Sequence, residues 1–238
     1  MKLYAYCFTE GLDALPESLT GIAGHQVRLL KVEEFSILVS EFFAETVPVN
    51  RHNGLAHAAV VQRVLTRTTP LPVRFGTLVT EQQLRNYVTA RHEALQTRLK
   101  SIRGCVEMNV KVIWHDDAAV EERLPEMEDK PGTAFLEQKR REILGSETRV
   151  AKAKGVASWL DERIREIVRE RRIEENPTDK LILAAAHLVE RGRLEQYRAE
   201  LKEAREERPE LHFLVSGPWA PYNFANIDLE FKSQFGVS

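Results

Sequence analysis

CVEMNVKVIW, residues 105–114, is the stretch on which the fold turns. Val106, Met108, Val110, Val112 and Trp114 recur at every second position, which places them on one face of a β-strand. Gly104 stands just before it and closes a polar, amphipathic helix expected over Glu81–Ile102, with Leu84, Val88, Leu95, Leu99 and Ile102 on one stripe and Thr80 ahead of its first turn. A strand that follows a helix so directly makes this a mixed chain, and the flanking segments decide which kind.

Upstream, the turn-forming stretch from Asn50 to Gly54 leads into Leu55, Ala58, Ala59, Val61, Val64 and Leu65 at helical spacing. Pro70 and Pro72 stop that helix, Leu71 to Phe75 reads as a short strand, and Gly76 with Thr77 makes the next turn. Further back, Leu3 to Phe8 and two β-rich runs between Val27 and Phe43, joined around Glu33 and Glu34, predict three strands with a hairpin.

Downstream, Asp116 to Gly132 is acidic, contains Pro125 and Pro131, and reads as the internal linker. Between Thr133 and Arg172, Ile143, Val150, Ala153, Ala157, Leu160, Ile164 and Ile167 fall largely at alternating threes and fours, a seam that requires a partner. Leu181 to Val189, apolar almost all round and preceded by Pro177, is expected to be that partner as a buried helix, with Leu194, Tyr197 and Leu201 resuming the pattern after Gly192. An intermolecular coiled coil is the alternative. Pro209 ends the helices, Leu211 to Val215 closes as a strand, and Gly217 to Pro221 is a rigid turn.

The reading is α+β in two domains. Residues 1–115 form an N-terminal α/β domain, a ferredoxin-like variant; residues 116–132 link it to a C-terminal ferredoxin-like α+β domain, 133–238, with a long helical hairpin. Residues 105–115 are also open to serving as the first strand of the second domain.

The 34 basic and 36 acidic residues nearly cancel, giving a formal charge of −2, so no global field favours nucleic acid or an anionic membrane. Cys7 and Cys105 each sit in a strand-like apolar stretch, which fits core thiols in a reducing compartment. Met1 to Phe8 lacks the apolar core and small-residue cleavage site of a signal peptide, and no apolar run is long enough to span a bilayer. The expected setting is the cytoplasm.

Chemistry-bearing patterns are sparse. His52 and His57 are five apart across a loop-to-helix junction, and His115, Asp116 and Asp117 are contiguous, so neither set has separated, convergent metal ligands. The serines lie in no Gly-x-Ser-x-Gly turn, the glycines form no phosphate loop, and the helix carboxylates alternate with arginine as solvated faces do. No catalytic residue, cofactor, metal or small-molecule substrate is expected. An enzyme using His57, His115 or Asp116 would need a pocket that gathers them.

Two segments carry a more specific message. The first runs from His57, Val60 and Val61 through Thr69, Pro70, Leu71, Pro72, Val73, Arg74, Phe75, Gly76 and Thr77; the second is Ser216, Gly217, Pro218, Trp219, Ala220, Pro221, Tyr222, Asn223 and Phe224. They resemble two motifs of the gas vesicle protein F/L family, a His-led helix followed by Leu-Pro-x-Arg-Phe-Gly-Thr, and Gly-Pro-Trp-Pro-Pro-Tyr-x-Phe. Ala220 replaces a usual proline, which frees one φ angle between Pro218 and Pro221. The similarity extends from the first strand to Phe224; from Asn226 onward nothing matches.

The resemblance implies two domains, no enzymatic activity, and a role as an assembly factor that engages the hydrophobic shell protein or other gas vesicle proteins, or as a minor component of the vesicle wall. Within the motifs, Gly76 suits a backbone position with positive φ, and Arg74 offers five donors able to tie carbonyls or a carboxylate. Phe75, Trp219, Tyr222 and Phe224 serve either as core or as anchors for a partner. His57 reads as a satisfied core histidine.

Overall fold

The computed structural model describes residues 1–15, 18–114, 133–174, 178 and 181–225. It divides into two units, residues 1–107 with 218–238 and residues 108–217. The expected linker at 116–132, His115, Asp116, Asp117 and Pro177 lie outside the described residues.

In the first unit, β1 (Lys2–Glu10), β2 (Val27–Val32) and β3 (Phe35–Phe42) form an antiparallel sheet in the order β2-β3-β1, extended by β4 (Leu71–Pro72) and by β5 (Leu78–Val79), both on β1. The hairpin turns at Glu33 and Glu34, as the sequence predicts, with Glu33 at φ +53°. β1 is buried from Leu3 to Thr9, so both of its faces carry apolar or hydrogen-bonded side chains. An irregularity between Ala5 and Cys7 shifts the register against β3. Tyr4 and Tyr6 thus meet His57 of α1 (Arg51–Leu65), while Phe8 meets Tyr87 of α2 (Glu81–Ile102).

The helices begin where their sequences dictate. The Asn50 side chain accepts from the N–H of Asn53, and Thr80 with Gln83 forms a reciprocal capping box at the start of α2. Buried Leu84, Val88, Leu95, Leu99 and Ile102 confirm the predicted stripe.

In the second unit the element order is β6 (Cys105–Trp114), α3 (Thr133–Ile164), β7 (Val168–Glu174), β8 (Leu181–Glu190), α4 (Leu194–Glu207) and β9 (Leu211–Trp219), and the sheet order is β7-β8-β6-β9. Alternate residues of β6, Met108, Val110 and Val112, join Val156, Leu160 and Ile164 of α3 and Tyr197 and Leu201 of α4 in one core.

Here the sequence reading is corrected. Leu181 to Val189 is a strand, and Val168 to Glu174, expected as the end of the long helix, is its antiparallel partner. The hairpin is therefore β rather than helical, and α3 finds its seam partners on the sheet and α4. A strand covered on both faces is apolar at consecutive positions, which mimics a buried helix, and Ala184, Ala185 and Ala186 strengthened the helical signal. Two smaller corrections follow from pairing. The predicted strand Leu71–Phe75 shortens to Leu71–Pro72, with one further bond to β1 from the Val73 N–H, and β9 continues through Gly217 and Pro218 to Trp219 where a turn was expected.

Candidate functional site

The two motifs meet inside the first unit. Tyr4 projects from β1 to His57 on α1: its phenol oxygen lies 2.8 Å from Nδ1 and accepts the Gly76 N–H at 3.2 Å. The donor in the Tyr4–His57 bond is set by the imidazole tautomer, since the phenol oxygen has a second lone pair beside the one that takes the Gly76 N–H. His57 is 3% exposed, and Nε2 is buried without a hydrogen-bond partner. Burial pushes His57 down to about 4 and pushes the Tyr4 phenol well above its ordinary value. A neutral imidazole is therefore built into the core.

Aromatic rings close around it. Tyr6 stacks on the imidazole at 5.6 Å between centroids, Phe75 meets it edge-on at 5.9 Å, and Tyr222 of the second motif lies at 6.2 Å. Tyr6 is itself held by the Ile22 N–H at 2.9 Å and by Ser40 Oγ at 2.9 Å.

The first motif is built onto β1. Leu71 and Pro72 pair with Phe8 and Cys7, the Val73 N–H donates to the Tyr6 carbonyl, and the Ala5 N–H donates to the Thr77 carbonyl. Thr77 Oγ1 donates to the Arg74 carbonyl at 2.7 Å, which closes the turn around Gly76 at φ +86°. Only glycine adopts that conformation without strain. Arg74, expected to tie carbonyls or a carboxylate, is exposed and has no such partner among the described residues.

The second motif is fastened by Asn223. Its N–H and its side-chain Nδ2 both donate to the buried Glu107 carboxylate, at 2.8 and 2.7 Å, and the Pro218 carbonyl accepts from Gln62 of α1. Phe224 is fully buried and Phe75 half-buried, whereas Trp219 and Tyr222 stay 45% and 41% exposed. The aromatics thus divide: some are core and some face outward. Gly217, at φ +123°, is the last residue of the second unit.

His52 is exposed while His57 is buried, so the structure does not bring them together as ligands. Two features escaped sequence reading. His92 of α2 approaches Glu34 at 2.6 Å and Glu33 at 3.4 Å, clipping the β2–β3 turn to the helix, and these three groups are close enough to share an ion. His92 is 58 and 59 residues from the two carboxylates in sequence, and no local spacing announces the group. In the second unit, His187 shares a 2.7 Å hydrogen bond with Tyr197, buried like the Tyr4–His57 pair. Burial, aided by the Arg171 cation, pushes His187 down to about 4.

Neither cysteine is in a disulfide, both are buried, and burial pushes the Cys7 thiol well up, the opposite of what a nucleophile needs. Among the described residues, no helix is long and apolar enough to cross a membrane.

Comparison with known proteins places the chain among gas vesicle proteins. The chain is 27% identical to gas vesicle protein L of a Streptomyces species, over 94% of this chain and 92% of that one. It is 24% identical to gas vesicle protein F1 of Halobacterium salinarum, over 99% and 98%. The fold matches the crystal structure of GvpF from Anabaena with a TM-score of 0.79 at 20% identity, covering 95% of this chain and 96% of that one. GvpF from Microcystis aeruginosa matches with a TM-score of 0.74 at 21% identity, covering 95% and 99%. The pattern of the family described as gas vesicle synthesis protein GvpL/GvpF spans residues 2–226, and the chain belongs to that family.

Proposed function

We propose that this protein is a cytoplasmic assembly factor that binds the nascent hydrophobic shell protein, or fellow accessory proteins, while a gas vesicle forms. The observation that carries the reading is the junction of the two family motifs in the first unit, where Tyr222 lies against the buried His57–Tyr4 pair and both Tyr222 and nearby Trp219 stay half-exposed. A wall that holds gas and excludes water needs apolar surface, which its subunits expose before they assemble, and a companion that covers it limits aggregation. Half-exposed Trp and Tyr on a rigid support are the side chains from which binding hot spots are made. The β-α-β-β-α-β order of the second unit, with β8 and β6 central, supports reading that unit as ferredoxin-like.

The test is capture of freshly synthesised shell protein by the purified chain, alongside a folded Trp219→Ala/Tyr222→Ala variant. Capture by the wild type and its loss in the variant supports the reading. A deletion strain that makes vesicles of normal number and shape overturns it. Retention of the protein on washed, floating vesicles would instead identify a permanent wall component.

A further inference from the structure

The β2–β3 turn is made of two glutamates, Glu33 and Glu34, where a two-residue hairpin turn ordinarily takes glycine or asparagine. Glu33 is held there at φ +53°, a left-handed conformation that a residue with a long side chain adopts only under strain, and Glu34 sets a like charge beside it. Among the described residues, neither carboxylate is paired with a lysine or an arginine. The needs of the turn do not account for these two side chains.

Both reach His92 of α2. Its Nε2 lies 2.6 Å from Glu34 Oε1 and 3.4 Å from Glu33 Oε2, and one donor atom from each of the three residues lies within 4.8 Å of the other two. A divalent ion bound by nitrogen and oxygen at about 2.1 Å sets neighbouring donors about 3.0 Å apart in an octahedron and about 3.4 Å apart in a tetrahedron, so small side-chain shifts let these atoms share one. The donors are also oriented from outside. Thr89, one turn earlier on α2, donates its hydroxyl to the other Glu33 oxygen, Oε1, at 2.9 Å, and Phe35 meets the His92 ring edge-on at 5.4 Å. A hydrogen bond between His92 and Glu34 alone would employ one carboxylate. The second, pinned by Thr89 and facing the same nitrogen, leaves an excess of negative charge that suits a cation.

We infer that Glu33, Glu34 and His92 form a binding site for a divalent first-row transition-metal ion, with Zn²⁺ the best match and water completing its coordination. One imidazole nitrogen beside two carboxylate oxygens suits such an ion, whereas Mg²⁺ and Ca²⁺ prefer oxygen donors throughout. The ion takes the place of the proton that Nε2 and Glu34 share and staples the β2–β3 turn to α2. The side chains are 35% to 42% exposed, so it enters directly from solvent. This inference is independent of the assembly-factor reading.

The experiment titrates the untagged full chain, stripped of metal with a chelator, with Zn²⁺ by calorimetry. It compares the wild type with Glu33→Gln/Glu34→Gln, with His92→Gln and with His52→Gln, an exposed histidine outside the cluster, after thermal melts show that each is folded. One equivalent of Zn²⁺ bound by the wild type, weakened about ten-fold or more by both cluster variants and unchanged by His52→Gln, supports the site. Absence of binding, or binding that the cluster variants leave unaltered, overturns it. Mg²⁺ or Ca²⁺ binding as tightly as Zn²⁺ also overturns it, because the imidazole would then have no part. A second reading needs no variant: substoichiometric Co²⁺ should broaden the NMR signals of the His92 ring before those of any other histidine, and broadening that begins at another histidine overturns the site.

Discussion

The Tyr4 phenol and the His57 imidazole are bound at 2.8 Å in the core of the first unit, with the Gly76 N–H fixing the phenol from its other side. One hydroxyl thus links the first strand, the first helix and the motif turn. Removing it in Tyr4→Phe leaves Nδ1 and an amide N–H without their partner, and the expected loss is about 1–3 kcal/mol. Urea unfolding of the full chain measures it.

The same histidine gives stability a pH dependence of known sign. His57 and His187 are held near 4 in the folded state, below the ordinary 6.5, so the unfolded chain binds more protons between those values. Their contribution is complete above pH 6.5, declines as pH falls toward 4, and is flat below. Each amounts to about 3 kcal/mol, since one pKa unit corresponds to about 1.4 kcal/mol. Denaturation at pH 7.5 and 4.5 should show the loss, and His57→Gln, which cannot be protonated, should reduce it.

His92 runs the other way. Its hydrogen bond to Glu34, with Glu33 and Glu93 nearby, raises its pKa, so the clip between the β2–β3 turn and α2 is fully present below the ordinary histidine value and is lost as pH rises through the raised one. An NMR titration of the His92 ring should show the elevated midpoint, and Glu34→Gln should lower it.

Gly21 and Gly76 should fail differently when a methyl is added. A Cβ at Gly21 would sit 1.9 Å from the Tyr6 hydroxyl oxygen and 2.6 Å from Cζ, and Tyr6 is fully buried, so Gly21→Ala overpacks the core and should cost about 1–3 kcal/mol. A smaller residue at position 6 should recover part of that loss in a double-mutant cycle. At Gly76 the new methyl would meet nothing within 4 Å, but φ is +86°, so Gly76→Ala should cost about 1 kcal/mol through backbone strain, which no neighbouring substitution relieves.

Asn223 offers a direct test of how the closing segment is held. Asn223→Ala removes one of its two donors to the buried Glu107 carboxylate and should destabilise the first unit by about 1–3 kcal/mol, measured by chemical denaturation.

Local pattern by itself determined much of this molecule. The period-two run at residues 105–114, the Thr80 cap with its stripe, the hairpin at Glu33 and Glu34, and the family motifs are all short-range signals, because strand alternation and helix capping act over a few residues. The tertiary structure decided what short range cannot. Leu181 to Val189 became a strand because β7 and β6 supply its hydrogen bonds and both of its faces are covered, a context that outweighs the helical preference of its alanines. It also set Tyr222 against His57, 165 positions earlier in the chain, and closed Asn223 onto Glu107, since the return of residues 218–225 to the first unit depends on pairings that no local spacing encodes.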